Sequence, residues 1–255
     1  MGRDDPDCTT APATATPPPR KKAKGGLVVG LSLALLMTPI GAVLTHAILP
    51  PPLTLLMAQQ LIGGHGMDYR WRGLNDISPN LVYSAIGAED ARFCSHSGFD
   101  FVAIQKALDH NEANSSERGG KVRGGSTISQ QTAKNVFLWP SRDWVRKGLE
   151  AGYTVLIEGI WGKRRILETY LNVAEWAPGV YGAEAASQHW FGVSALDLSP
   201  QQAARLAAIL PSPRRYDAAR PGPYVSRRAS RIQAAARTVR VQGLATCVYP
   251  VNREP

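Results

Sequence analysis

The sequence predicts a mainly α-helical domain held behind a single membrane span, and three observations carry that expectation. Runs of alternating β-branched residues are missing, and the Ala, Leu and Arg content favours helix. Helix-start signals recur: Thr127 is followed three residues later by Gln130, and Ser199 by Pro200 and Gln202. From Leu27 to Leu49 no side chain is acidic or basic except His46. Those residues, at about 1.5 Å each, reach roughly 34 Å, enough to cross a bilayer.

Residues 1–25, rich in Pro, Thr, Ala and basic side chains, are expected to be a disordered cytoplasmic tail. The span covers 26–49. Arg20, Lys21, Lys22 and Lys24 precede it, so the positive-inside rule puts the N-terminus in the cytoplasm and the following domain outside. A cleaved signal peptide fits less well, because the run exceeds a typical apolar region and leads into Pro50-Pro51-Pro52 without a small-x-small exit. Further on, Ile166, Leu167, Tyr170 and Leu171 form a core stripe at helical spacing, and a helix from Ser199 is closed by Pro211. Ser226 to about Gln242 reads as an amphipathic helix with arginines on one side.

The chain of 255 residues, 44% of them hydrophobic, suffices for one domain with a sizeable core plus an anchor. Its 29 basic and 20 acidic residues give a net charge of +9, which asks for an anionic partner or surface. Nucleic acid is a poor fit: the domain is placed outside the membrane, and the basic residues form no aromatic-interleaved groove motif. Anionic phospholipid headgroups fit better. The five histidines are scattered and no Cys/His set has zinc spacing. Cys94 and Cys247 share the outer compartment, but Cys94 is expected to pack as a small apolar residue inside a motif helix, not to form a bridge.

The chemistry concentrates in three segments. In Ala88–Asp100 a carboxylate pair, a histidine and a glycine stop fall within about two helical turns. With a helix running to Gly98, Glu89, Arg92, Phe93 and His96 share one face. In Arg123–Asn135 a glycine-rich turn feeds the Thr127/Gln130 capping box, so Thr127, Gln131 and Lys134 line one helix face beside a helix N-terminus fit for an anion such as a phosphate. No Lys-Ser/Thr pair follows the glycines, so this is not a P-loop. In Asp143–Ala151, Arg146 and Lys147 can meet Glu150 on one face. A carboxylate placed after its cations is the less favourable order for helix stability, and two cations beside it suit a site that receives negative charge.

Together these segments resemble the monofunctional biosynthetic peptidoglycan transglycosylases of glycosyltransferase family 51, a domain also found at the front of bifunctional penicillin-binding proteins. The resemblance runs from about Ile77 to Tyr224. It rests on Glu89-Asp90 with Phe93, His96 and Gly98; on Gly125 to Gln131 with Lys134-Asn135; on Trp144 to Glu150; and on Ile166 to Asn172, Tyr181-Gly182 and Trp190-Phe191. Asn172 to Trp176 and a chain closing at Pro255 are what the monofunctional branch leads one to expect. The resemblance implies a lysozyme-like bilobal glycosyltransferase domain over 77–245, a membrane-proximal linker over 50–76, a C-terminal tail over 246–255, and a mobile segment at Gly119–Gly125.

It also implies polymerisation of lipid II into β-1,4-linked glycan strands with release of undecaprenyl diphosphate, at the outer side of a bacterial cytoplasmic membrane. Glu89 is then the catalytic base and Glu150 the second essential glutamate. Asp90, Phe93, His96, Ser126, Thr127, Gln131, Lys134, Arg146 and Lys147 are carried over as substrate-binding or shaping residues. A divalent cation, Mg or Mn, would be bound transiently with the diphosphate, without a resident metal site. Membrane lipids, the growing strand and other cell-wall synthesis or division proteins are the implied partners. Glu168, Glu175 and Glu184 are read as structural. A glycan-cleaving enzyme of lysozyme type and a non-catalytic cell-wall scaffold are the alternative readings; the cation-rich segments speak against the first and the paired glutamates against the second.

Overall fold

The computed structural model describes residues 37–64, 66–114, 124–141 and 143–249. The expected tail and the first part of the expected span lie outside these residues, as do 119–123 of the expected mobile segment. Helix α1, residues 37–48, covers the remainder of the apolar run. Among the described residues no helix is long and apolar enough to cross a membrane.

From Pro39 onward the chain forms one unit organised around two helix triplets. In the first, α3 (Pro79–Glu89) packs against α9 (Pro200–Ile209) and α10 (Pro223–Val241). Ser78 caps α3, accepting from Asn80 N–H, and Pro79 takes a first-turn position that needs no donor. Leu81 to Ile86 are all buried, so α3 is a core helix on every side. Gly87 lets α10 approach: a Cβ there would lie 3.1 Å from the backbone carbon and Cβ of Ala235. The Ser199/Gln202 capping box opens α9 as the sequence predicts.

The second triplet is α5 (Ile128–Phe137), α6 (Trp144–Ile160) and α7 (Gly162–Val173). The Thr127/Gln130 capping box starts α5, and Asp143 starts α6 by accepting from the Arg146 N–H at 2.7 Å. Gly162, at φ +70°, makes the turn from α6 into α7, whose Ile166, Leu167, Tyr170 and Leu171 are the buried stripe read from the sequence. The remaining helices are α2 (Leu55–Ile62), α4 (Phe101–Ala113) and α8 (Ala183–Phe191).

The stretch 50–76, read from sequence as a linker, contains α2 and strand β1 (Asp68–Tyr69) and gives Met57 and Leu74 to the core. β1 pairs in parallel with β3 (Val180–Tyr181), which pairs antiparallel with β2 (Glu175–Ala177). This small sheet fits a mainly α-helical domain; its strands of two or three residues are too short to show an alternating pattern in the sequence.

Two expectations about the motif segment are corrected. The helix does not run to Gly98: α3 ends at Glu89, Asp90 is its C-cap, and only a 3₁₀ turn at Phe93–Ser95 follows. Glu89, Arg92, Phe93 and His96 therefore do not share a helix face. Nor is Cys94 a free apolar residue. It is bridged to Cys247, 153 residues away, which ties the motif segment to the chain beyond α10.

Candidate active site

A cleft of about 700 Å³ opens at the C-terminal end of α3, between that end, the start of α4, the Gly124–Gln131 segment and α10. Glu89, the last residue of α3, places its carboxylate on the wall with 16% of the side chain exposed. Gln131 Nε2 donates to its Oε2 at 3.1 Å, and Arg228 Nη2 from α10 donates to its Oε1 at 3.3 Å. Burial pushes the Glu89 carboxyl above the usual range; Gln131, Arg228 and Lys134 oppose the rise, and the neighbouring Asp90 charge adds to it.

Asp90 and His96 face the scaffold. Asp90 is buried, with both oxygens near His96 Nε2, at 3.0 and 3.2 Å, and Oδ2 accepts from the Ile128 N–H at 3.0 Å. The N-terminus of α5, read from sequence as a place for a phosphate, thus already holds an anion of the protein's own. The Thr127 hydroxyl is committed as well. It donates to the Gly98 carbonyl at 2.6 Å and accepts from Gln130 N–H. Gly98 stands at φ +93°, and a Cβ there would lie 2.7 Å from Thr154 Cγ2. Phe93 has no exposed surface; it packs in the core with Lys163 Nζ 4.5 Å above its ring. Of the first two motif segments, the structure brings Glu89, Asp90, Ser126, Thr127 and Gln131 to the cleft lining, and sets Phe93 and His96 behind it.

Glu150 forms a second centre on α6. Its carboxylate is buried, receives Arg146 Nη1 at 3.0 Å and is also bonded to Lys147 Nζ. Lys134 links the two centres electrostatically. Desolvation holds its ammonium pKa below the usual lysine value, with Arg146 and Lys147 lowering it further and Glu150 and Glu89 raising it. It also lines a neighbouring pocket of about 340 Å³ with Leu56, Leu138 and Trp139.

Three other glutamates serve the scaffold as the sequence suggests: Glu168 accepts from Leu74 N–H, Glu184 from Ala195 N–H, and Glu175 pairs with Arg214. Sequence reasoning passed over Arg228. Its signal was present in the arginine side of α10, but a separation of 139 residues from Glu89 hid the pairing. Among the described residues no group of three or more His, Cys, Asp or Glu is placed to hold a metal ion.

A half-buried carboxylate on a cleft wall, with a second carboxylate bonded to two cationic side chains and a lysine that feels both, is the kind of arrangement found in enzymes that move a proton beside negative charge. Comparison with known proteins narrows this class. The transglycosylase family profile matches residues 57–237. The chain is 55% identical over 222 residues to a biosynthetic peptidoglycan transglycosylase of Caulobacter vibrioides, covering 87% of this chain and 95% of that protein. Proteins of the same name from Rhodospirillum centenum and Xanthomonas campestris pv. campestris are each 50% identical, over 87% and 88% of this chain and 93% and 92% of theirs. The chain belongs to the transglycosylase family.

Proposed function

We propose that this protein is an inverting peptidoglycan glycosyltransferase that polymerises lipid II in cell-wall synthesis. The observation that carries the reading is the Glu89 carboxylate, held between Gln131 and Arg228 on the cleft wall and coupled through Lys134 to the Glu150 centre. Glu89 takes the proton from the acceptor 4-hydroxyl as that oxygen bonds to the anomeric carbon of the donor. The bond from that carbon to the diphosphate breaks with inversion. Lys134, Arg146 and Lys147 offset the charge that develops on the leaving diphosphate. Glu150 keeps Arg146 and Lys147 oriented, since its oxygens are bonded to both.

Asp90, His96, Thr127 and Phe93 act on substrate through the wall they hold, and Ser126 faces it directly. The donor set does not fit a resident divalent cation, because Glu150 is engaged by two cations and Glu89 by two donors. Mg or Mn would come with the diphosphate.

The domain is read as lysozyme-like, anchored by a retained span over 26–49, with its N-terminus in the cytoplasm and the cleft at the outer face of the inner membrane. The apolar run supports that placement. Membrane lipids and other cell-wall synthesis or division proteins are its proposed neighbours. The test is incubation of the full chain in detergent with labelled lipid II and Mg or Mn. Release of undecaprenyl diphosphate with muramidase-sensitive polymer supports the reading. Cleavage of preformed glycan without polymer would replace it with a hydrolase.

A further inference from the structure

The arginine side of α10 is only partly used by the chemistry above. Arg228 turns inward to Glu89, while Arg227 and Arg231 are exposed. With Tyr224 these three arginines line a groove of about 220 Å³, with no acidic side chain in its lining among the described residues. Tyr224 and Arg228 also line the 700 Å³ cleft, so the groove continues from the site where Glu89 stands. Tyr224 stacks on Tyr216 with ring centroids 5.1 Å apart, giving the groove an aromatic side.

The fold does not account for this arrangement. Arg227 and Arg231 are spaced i, i+4, where like charges repel along a helix. Arg227 and Arg228 sit in the second turn of α10, near the positive end of the helix dipole, and the first turn carries no acidic residue to offset them. Among the described residues neither Arg227 nor Arg231 has a carboxylate at ion-pair distance. A ligand that brings carboxylates relieves all three costs, and a guanidinium binds a carboxylate through two parallel hydrogen bonds.

Building on the glycosyltransferase reading, we propose that the Tyr224–Arg231 groove is a subsite for the carboxylates of the peptide carried by the glycan substrate, with Arg227 and Arg231 as the specificity-determining residues. Sugar units enter the cleft at Glu89, and the peptide branch lies along α10, so the groove selects peptide-bearing substrate.

The test compares wild type with R227Q/R231Q, which leaves Arg228 in place, in neutral detergent. Two lipid-linked disaccharides serve as substrates, one with free peptide carboxylates and one with those carboxylates amidated. On the free-carboxylate substrate the variant's KM should rise about tenfold, corresponding to about 1.4 kcal/mol, with kcat retained. Wild type should lose the same factor on the amidated substrate, where the variant loses nothing further. A variant that falls equally far below wild type on each of the two substrates, a variant that matches wild type on both, or a loss seen only on anionic phospholipid vesicles would overturn the subsite. Wild type that polymerises neither substrate would overturn the glycosyltransferase reading itself.

Discussion

Glu89 and Glu150 are the same side chain in opposite surroundings, and the proposed reading gives each a different use. Glu89 ends a helix on a cleft wall, partly exposed, with one amide and one guanidinium as donors, and burial raises its carboxyl pKa. Glu150 is inside a helix, 4% exposed, and clamped by two cations from its own preceding turn. In the proposed reading the first accepts a proton from substrate, and the second, bonded to Arg146 and Lys147, holds those two side chains in place. The two carboxylates differ in the number and kind of their donors as well as in burial, and both set how a carboxyl titrates.

The largest effect that would break this contrast is on activity. Glu89→Gln keeps the size of the side chain and should lower polymerisation by about 10²- to 10⁴-fold, the span ascribed to general-base catalysis. Its folding stability should stay within about 1 kcal/mol of wild type, because the Arg228 pair is part-exposed and solvent-screened. Near-normal turnover in a lipid II assay would remove Glu89 as the base. Glu150→Ala should differ in kind. It leaves the largely buried Arg146 guanidinium without its partner, so it should cost about 3 kcal/mol in urea unfolding as well as activity. If Glu150→Ala is as stable as wild type, the clamp is not structural and the contrast fails.

Next in size is the bridge that ties down the segment after Glu89. Cys94 lies five residues after Glu89, and its bond to Cys247 closes a separation of 153 residues. Cys247→Ser should lower stability by about 2 to 4 kcal/mol, measured against wild type under oxidising conditions, and reduced wild type should match the variant. Agreement of variant and wild type in thermal unfolding would show that the bridge contributes nothing to the motif segment.

How much of this was readable beforehand depended on the reach of each interaction. The capping boxes at Thr127 and Ser199 and the Arg146–Glu150 clamp lie within four residues, so their spacing alone disclosed them. The end of α3 was not readable. Asp90 leaves the helix to accept from Ile128 N–H and from His96, and the first of these partners is 38 residues away. The same reason hid Arg228 and Cys247, which meet the motif from positions 139 and 153 residues distant. At the α5 N-terminus, expected to hold an anion such as a phosphate, the Ile128 N–H is bonded to Asp90, a partner 38 residues away that spacing could not disclose.

The smallest effect, and the finest test of the contrast, is the pH profile. Glu89 must be ionised to act as base, and its raised carboxyl pKa puts the acid limb of activity above the ordinary value of 4.5. Lys134 must be protonated to meet the diphosphate, and its lowered pKa puts the alkaline limb below 10.5. The bell should therefore be narrower on both sides than free side chains would give. Gln131 donates to the ionised form of Glu89, so Gln131→Leu removes a contact that holds the carboxyl pKa down, and the acid limb should move upward. Stability runs the other way: a carboxyl raised on folding favours the native state most below pH 4.5 and loses that contribution as pH rises through its folded value. An acid limb that stays put in Gln131→Leu would mean that the titrating group seen in the rate is not Glu89.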